Sequence, residues 1–150
     1  MKTSTRRITR YLALPVAALT ATGAAVAFGG VATASALPTI SMTITNDSNV
    51  PIHLANQSSG FGWWSTGPHD MIPPHTTEIL TATTQEPGGT VDVTYQLPGG
   101  AQATFTANNF RPGVDLDGTG VSGGGRWGID RTVRAGYPDM SATYNLFGTP

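Results

Sequence analysis

The chain has no cysteine among its 150 residues, which excludes disulfides, thiolate metal sites and cysteine nucleophiles. Charge is scarce too: Asp, Glu, Lys and Arg make up 11% of the sequence, against about 25% in an average soluble protein. Four of the eight basic residues are Lys2, Arg6, Arg7 and Arg10. From residue 37 onward there is no lysine, and four arginines stand against nine acids, a formal charge of −5. A phosphate-backbone binder needs a basic face, so nucleic acid is not expected as a partner. An electrostatic hold on anionic lipid needs clustered Lys and Arg, so any membrane role has to rest on aromatic or headgroup-specific contacts. No apolar stripe at helical spacing is present, and no internal repeat.

The N-terminus reads as a secretory leader. The basic residues are followed by an apolar run from Tyr11 to about Phe28, and Ala34-Ser35-Ala36 is a small-residue cleavage signal. The run is rich in Ala, Gly and Thr and no stop-transfer charge follows it, so cleavage near Ala36 is expected rather than a membrane anchor. Arg6-Arg7 suggests a twin-arginine signal, but Ile8-Thr9-Arg10 lacks the paired apolar residues of such signals, which favours general secretion. An Ala-rich leader of this kind looks bacterial. Residues 37–150 are then the mature, extracellular chain, long enough for one modest core and too short for two domains.

In that part the apolar pattern has period two. Ile40, Met42 and Ile44 alternate with Ser41, Thr43 and Thr45, and Val50, Ile52 and Leu54 with Pro51, His53 and Ala55. Asn46-Asp47-Ser48-Asn49 lies between them, which reads as a hairpin, with Pro51 at an edge or bulge. A Gly-, Ser- and Pro-rich loop is expected from Asn56 to His75, a strand from Thr76 to Thr83, and a turn at Glu86-Pro87-Gly88-Gly89. Val91, Val93, Tyr95 and Leu97, then Ala101, Ala103, Phe105 and Ala107, form a second hairpin around Pro98-Gly99-Gly100. Asn108 to Gly128 is Gly-rich and loop-like. A short strand is expected at Gly128 to Val133 and a last one at Ser141 to Phe147. Six or seven short antiparallel strands around one core imply an all-β fold, a single β-sandwich.

Several local patterns resemble catalytic or metal motifs. Gly118-Thr119-Gly120-Val121-Ser122-Gly123 fits the spacing of a dinucleotide loop, but that loop needs a helix after it to receive the pyrophosphate. Gly120-Val121-Ser122-Gly123-Gly124 fits a nucleophile elbow, but the elbow belongs to a large α/β sheet. Asp115-Leu116-Asp117-Gly118 resembles the start of a calcium loop, yet no acid follows until Asp130. A solvated turn with local carboxylate–amide bonds is the simpler reading. His69, Asp70 and His75 are zinc-ligand types, but they flank Pro73-Pro74 and sit on no rigid element. His53 reads as a surface imidazole. No catalytic residue, metal or cofactor is expected.

Phe61-Gly62-Trp63-Trp64 is the strongest unexplained feature. Adjacent residues on a strand point to opposite faces, so one indole can enter the core while the other faces solvent. Exposed Trp marks recognition surfaces, and the indole suits a membrane–water interface. Capping of the open end of the sandwich by both rings is the structural alternative. Phe61, Trp63 and Trp64 are therefore the candidate ligand-binding residues. Trp127, Tyr137 and Tyr144 can extend the aromatic surface, and Arg126, with Arg131 and Arg134, can contact a headgroup or sugar.

With the strands placed, the pattern resembles the aegerolysin family and its bacterial crystal-protein relatives. The matching stretches are Ile44-Thr45-Asn46-Asp47-Ser48 leading into Ile52, then Gly62-x-Trp64. Ile72-Pro73-Pro74 before a strand and Gly88-Gly89-Thr90-Val91-Asp92-Val93-Thr94-Tyr95 complete them. The resemblance covers roughly residues 40 to 107 and rests on order and spacing. It implies a small β-sandwich with no catalytic site that binds particular membrane lipids, often sphingolipids. It also implies, as for some relatives, a separate perforin-like partner that makes the pore. The expected function is thus a secreted, non-catalytic lipid-recognition module within a cytolytic system. The alternative is a secreted module for carbohydrate or cell wall, in which Trp rings stack on a cell-surface glycan.

Overall fold

The computed structural model describes residues 36–85, 87–111 and 113–150. The leader up to Ser35 lies outside these residues, as does Glu86 of the expected turn. In chain order the strands are β1 (Thr39–Asn46), β2 (Ile52–Ser58), β3 (Trp63–Thr66), β4 (Met71–Ile72), β5 (Thr76–Thr83), β6 (Gly88–Gln96), β7 (Gln102–Phe110), β8 (Gly113–Asp115), β9 (Gly120–Ser122), β10 (Arg126–Arg134) and β11 (Asp139–Thr149). Pro98–Gly100 forms a tight turn with both glycines at positive φ, and no α-helix occurs among the described residues.

Two sheets pack face to face as a β-sandwich. The first has the order β10-β11-β1-β5-β3; the second has β4-β2-β6-β7-β8, with β9 also pairing to β7. Pairing is antiparallel except for β1 and β11, which run parallel in register from Thr39 opposite Asp139 to Asn46 opposite Leu146. That pairing joins the first described strand to the last.

The period-two pattern delivers the core directly. Ile40, Met42 and Ile44 of β1, Leu80 and Ala82 of β5, and Ala142, Tyr144 and Leu146 of β11 are buried. They meet Ile52, Val91, Val93, Tyr95, Ala103, Phe105 and Ala107 from the second sheet. Phe105 lies between two tyrosines, edge-on to Tyr95 at 6.2 Å and to Tyr144 at 5.3 Å between ring centroids. Such T-shaped pairs set the positive ring edge against the negative ring face.

The expected first hairpin does not form. β1 is flanked by β5 and β11, while β2 pairs with β4 and β6 in the other sheet. The segment between them is an arch from one sheet to the other. Asn46 holds it: its buried amide donates to the carbonyls of Val50 at 2.8 Å and of Ile72 and Pro73 at 3.1 Å each. Alternation assigns each strand a buried face but is silent about which strand lies beside it. The β6–β7 hairpin around Pro98–Gly100 forms as expected, with Gln96 opposite Gln102. Pro51 lies just outside β2, where its missing N–H costs no ladder bond. The loop expected from Asn56 to His75 is shorter than its composition suggests. β2 continues to Ser58 past an irregularity between Leu54 and Asn56, and β3 and β4 lie within it. The Gly-rich stretch after Asn108 likewise contributes β8 and β9 to the second sheet.

Candidate functional site

The aromatic cluster sits where β2 crosses to β3, an edge strand of the first sheet. Trp63 pairs with Thr83 and Trp64 with Ala82. Ala82 faces the core, so strand alternation sends Trp64 inward and Trp63 outward. Trp64 is half-buried and packs against the core, whereas Trp63 keeps 49% of its surface exposed. Between the strands, Gly62 donates its N–H to the Ser59 carbonyl at 3.0 Å, and the Ser59 hydroxyl donates back to the Gly62 carbonyl at 3.1 Å. This tight turn puts Phe61 at the tip, 81% exposed. Gly62 is pressed onto β5: a Cβ there would lie 2.0 Å from the Thr83 carbonyl oxygen. The Ser65 and Thr83 hydroxyls add a bond of 3.1 Å. Two large apolar rings are thus presented to solvent on a turn clamped from behind.

The remaining candidates lie elsewhere. Trp127 and Arg126 are on β10, at the edge of the first sheet opposite to β3. Three strands separate the two edges, about 19 Å at the usual strand spacing. Trp127 packs partly against the core, and its indole Nε1 is buried without an acceptor. Arg126 is exposed. Tyr144 is fully buried and donates its hydroxyl to the Thr106 carbonyl at 2.6 Å. Tyr137 lies beneath the Arg111 guanidinium, 5.4 Å from the ring centroid. Arg131 turns inward and donates to the carbonyls of Leu116 and Thr119 at 3.2 Å each. Phe61 and Trp63 are therefore the pair the fold presents together.

The other motifs resolve into local structure. The segment from Gly118 to Gly123 forms a turn and β9, with no helix after it. An Asp115 carboxylate oxygen accepts from the Asp117 N–H at 3.1 Å and from Asn108 at 2.5 Å. His75 contacts Asn49 and Asp47, while His69 contacts Glu78. Among the described residues no group of three or more His, Cys, Asp or Glu side chains is placed to hold a metal. No helix among them is long and apolar enough to cross a membrane.

One network was not anticipated from sequence. Glu78 is 5% exposed and accepts from three donors: the Tyr95 hydroxyl at 2.5 Å, the His69 N–H at 2.5 Å and His69 Nδ1 at 2.7 Å. It ties the β3–β4 connection to the core. Burial, reinforced by the Glu78 carboxylate, pushes the Tyr95 phenol far above its ordinary range, and burial does the same for Tyr144. The signal was present: Glu78 shares the inward parity of Leu80 and Ala82 in a run otherwise rich in threonine.

The chain matches no described protein family and no curated protein sequence. Twelve chains of solved structures match it. Among them is the crystal structure of the lipid binding protein Nakanori, with a TM-score of 0.57 and 10% identity over 74% of this chain and 71% of that one. At this identity the likeness is one of fold.

Proposed function

We propose that this protein is a secreted, non-catalytic β-sandwich that recognises a lipid surface by inserting Phe61 and Trp63 into the membrane–water interface. The observation that carries the reading is the exposure of these two rings on the clamped β2–β3 turn. A phenyl ring at a tip favours the acyl region, and an indole beside it suits the headgroup level, with its apolar body and single N–H donor. The turn holds its shape through the Ser59–Gly62 bonds and the inward Trp64, so little ordering entropy is lost on binding. The absence of lysine beyond residue 10 makes the attachment apolar rather than electrostatic, hence weakly dependent on salt. A fold shared with the lipid binding protein Nakanori supports the reading, as does the resemblance to aegerolysins. In the same reading a separate pore-forming protein acts downstream of binding, and the leader ending near Ala36 sends the chain outside the cell.

The test is co-sedimentation with vesicles of phosphatidylcholine, of phosphatidylcholine with sphingomyelin and cholesterol, and of phosphatidylglycerol, with tryptophan emission recorded in the same samples. One composition should bind at both low and high salt and shift the emission to the blue. Phe61→Ala and Trp63→Ala should each weaken binding by about tenfold or more, and Trp63→Ala should abolish the shift. A wild-type protein that sediments with none of these vesicles would sink the proposal.

A further inference from the structure

The outer face of the first sheet carries a second surface of a different chemistry, at the edge far from Phe61 and Trp63. β10 and β11 pair so that Asp130 stands opposite Asn145 and Thr132 opposite Thr143. Their positions alternate with the buried Ala142, Tyr144 and Leu146, so these four polar side chains point away from the core. They line a groove of about 350 Å³. Elsewhere on this face hydroxyls bond one another, Thr45 to Thr77 at 2.9 Å and Ser65 to Thr83 at 3.1 Å. The four groove side chains take no hydrogen-bond partner among the described residues. The side-chain oxygen of Asn145 is buried without one. Arg131 contributes to the groove wall, but its guanidinium is turned inward to the carbonyls of Leu116 and Thr119.

An aromatic ring lies just beyond one end of this lining. Phe147 pairs with Gly128, two register positions beyond Asp130 and Asn145, about 7 Å along the strands. A Cβ on Gly128 would lie 2.6 Å from Phe147 Cζ and 2.8 Å from Cε2. The ring therefore reaches across the space that only a glycine leaves open, and it stays 41% exposed. An exposed ring on the same face as a carboxylate and an amide, with two hydroxyls further along the strands, is a paired apolar and polar surface.

We propose that this groove and the ring beyond it bind a short run of hexopyranose units of a neutral glycan. A pyranose has an apolar C–H face and a rim of hydroxyls that both donate and accept. The C–H face of one unit stacks on Phe147, whose ring face is electron-rich, and the hydroxyl rim of the next lies in the groove. The Asp130 carboxylate only accepts, whereas the Thr132 and Thr143 hydroxyls do both, which matches that rim. Asp130 also disfavours an anionic ligand, so the sugar is neutral. The site is separate from the aromatic turn and does not depend on its role.

The experiment uses the purified protein and two kinds of probe. The first is a set of insoluble polysaccharides: cellulose, chitin, xylan, mannan and curdlan. The second is phosphatidylcholine vesicles with and without galactosylceramide, which separates a free glycan from a glycolipid headgroup. Retention on a polysaccharide, or on vesicles only when the glycolipid is present, supports the proposal if Phe147→Ala and Asp130→Ala each lower it about tenfold or more. Phe147→Tyr should keep it, and so should Trp63→Ala on the polysaccharide. Circular dichroism melting checks that each variant is folded. Asp130 is exposed on an edge strand, so its variant keeps the test decisive if Phe147→Ala does not fold. Retention on no probe, or retention that survives both variants, overturns the proposal.

Discussion

Glu78 shows how much one side chain holds. It occupies a position of β5 that alternation assigns to the interior, and it stays there because three donors converge on it. Removing it strands the Tyr95 hydroxyl and the His69 N–H without their acceptor. Loss of a buried, multiply bonded carboxylate costs about 3 kcal/mol, or about 10 °C in melting temperature for a domain of this size. Glu78→Ala should lose that much in thermal unfolding, and Glu78→Gln, which keeps one acceptor, clearly less. A Glu78→Ala protein that melts like its parent would mean that the network contributes nothing.

At the scale of elements, the β2–β3 turn works only while it is pressed against β5. Gly62 sits where any side chain collides with the Thr83 carbonyl, and that carbonyl belongs to a strand held on both sides. Gly62→Ala should therefore displace the turn and leave the rest of the sandwich intact. The expected cost is about 1–3 kcal/mol, as for other overpacked sites. Vesicle binding should fall even though Phe61 and Trp63 are unchanged, and proteolysis within Ser59–Thr66 should quicken. Binding at the parental level would show that the rings act without the clamp.

The whole molecule is built around Phe105 and its two tyrosines. Tyr95 and Tyr144 both keep their protons well above the ordinary phenol value of about 10, chiefly through burial. In the unfolded chain they ionise near that value. Below pH ~10 both states hold these protons and stability does not depend on them. Above it the unfolded chain binds fewer protons than the folded one, so stability falls as pH rises. The slope is about 1.4 kcal/mol per pH unit for each ring. Urea unfolding midpoints should decline steadily above pH ~10, and Tyr144→Phe should flatten the decline. A midpoint unchanged in that range would contradict the burial of both phenols.

The sequence by itself determined the class of fold and the list of residues that share the core, because period-two alternation is a property of the chain. Ile40, Met42, Ile44, Val91, Val93 and Tyr95 were legible for that reason, whereas Tyr144, read as an extension of the aromatic surface, is buried in the core. It also marked Phe61, Trp63 and Trp64 as unusual and showed that adjacent indoles must part. Which indole faces solvent was decided by the pairing of Trp64 with Ala82, a contact across eighteen residues that no local pattern encodes. The arch at Asn46 and the parallel β1–β11 ladder were hidden for the same reason: alternation names a face, and strand partners are chosen by long-range packing. The separation of Trp127 from the aromatic turn, and the meeting of Phe147 with Gly128, likewise belong to the tertiary structure. Sheet order sets which edges are far apart and which side chains share a rung.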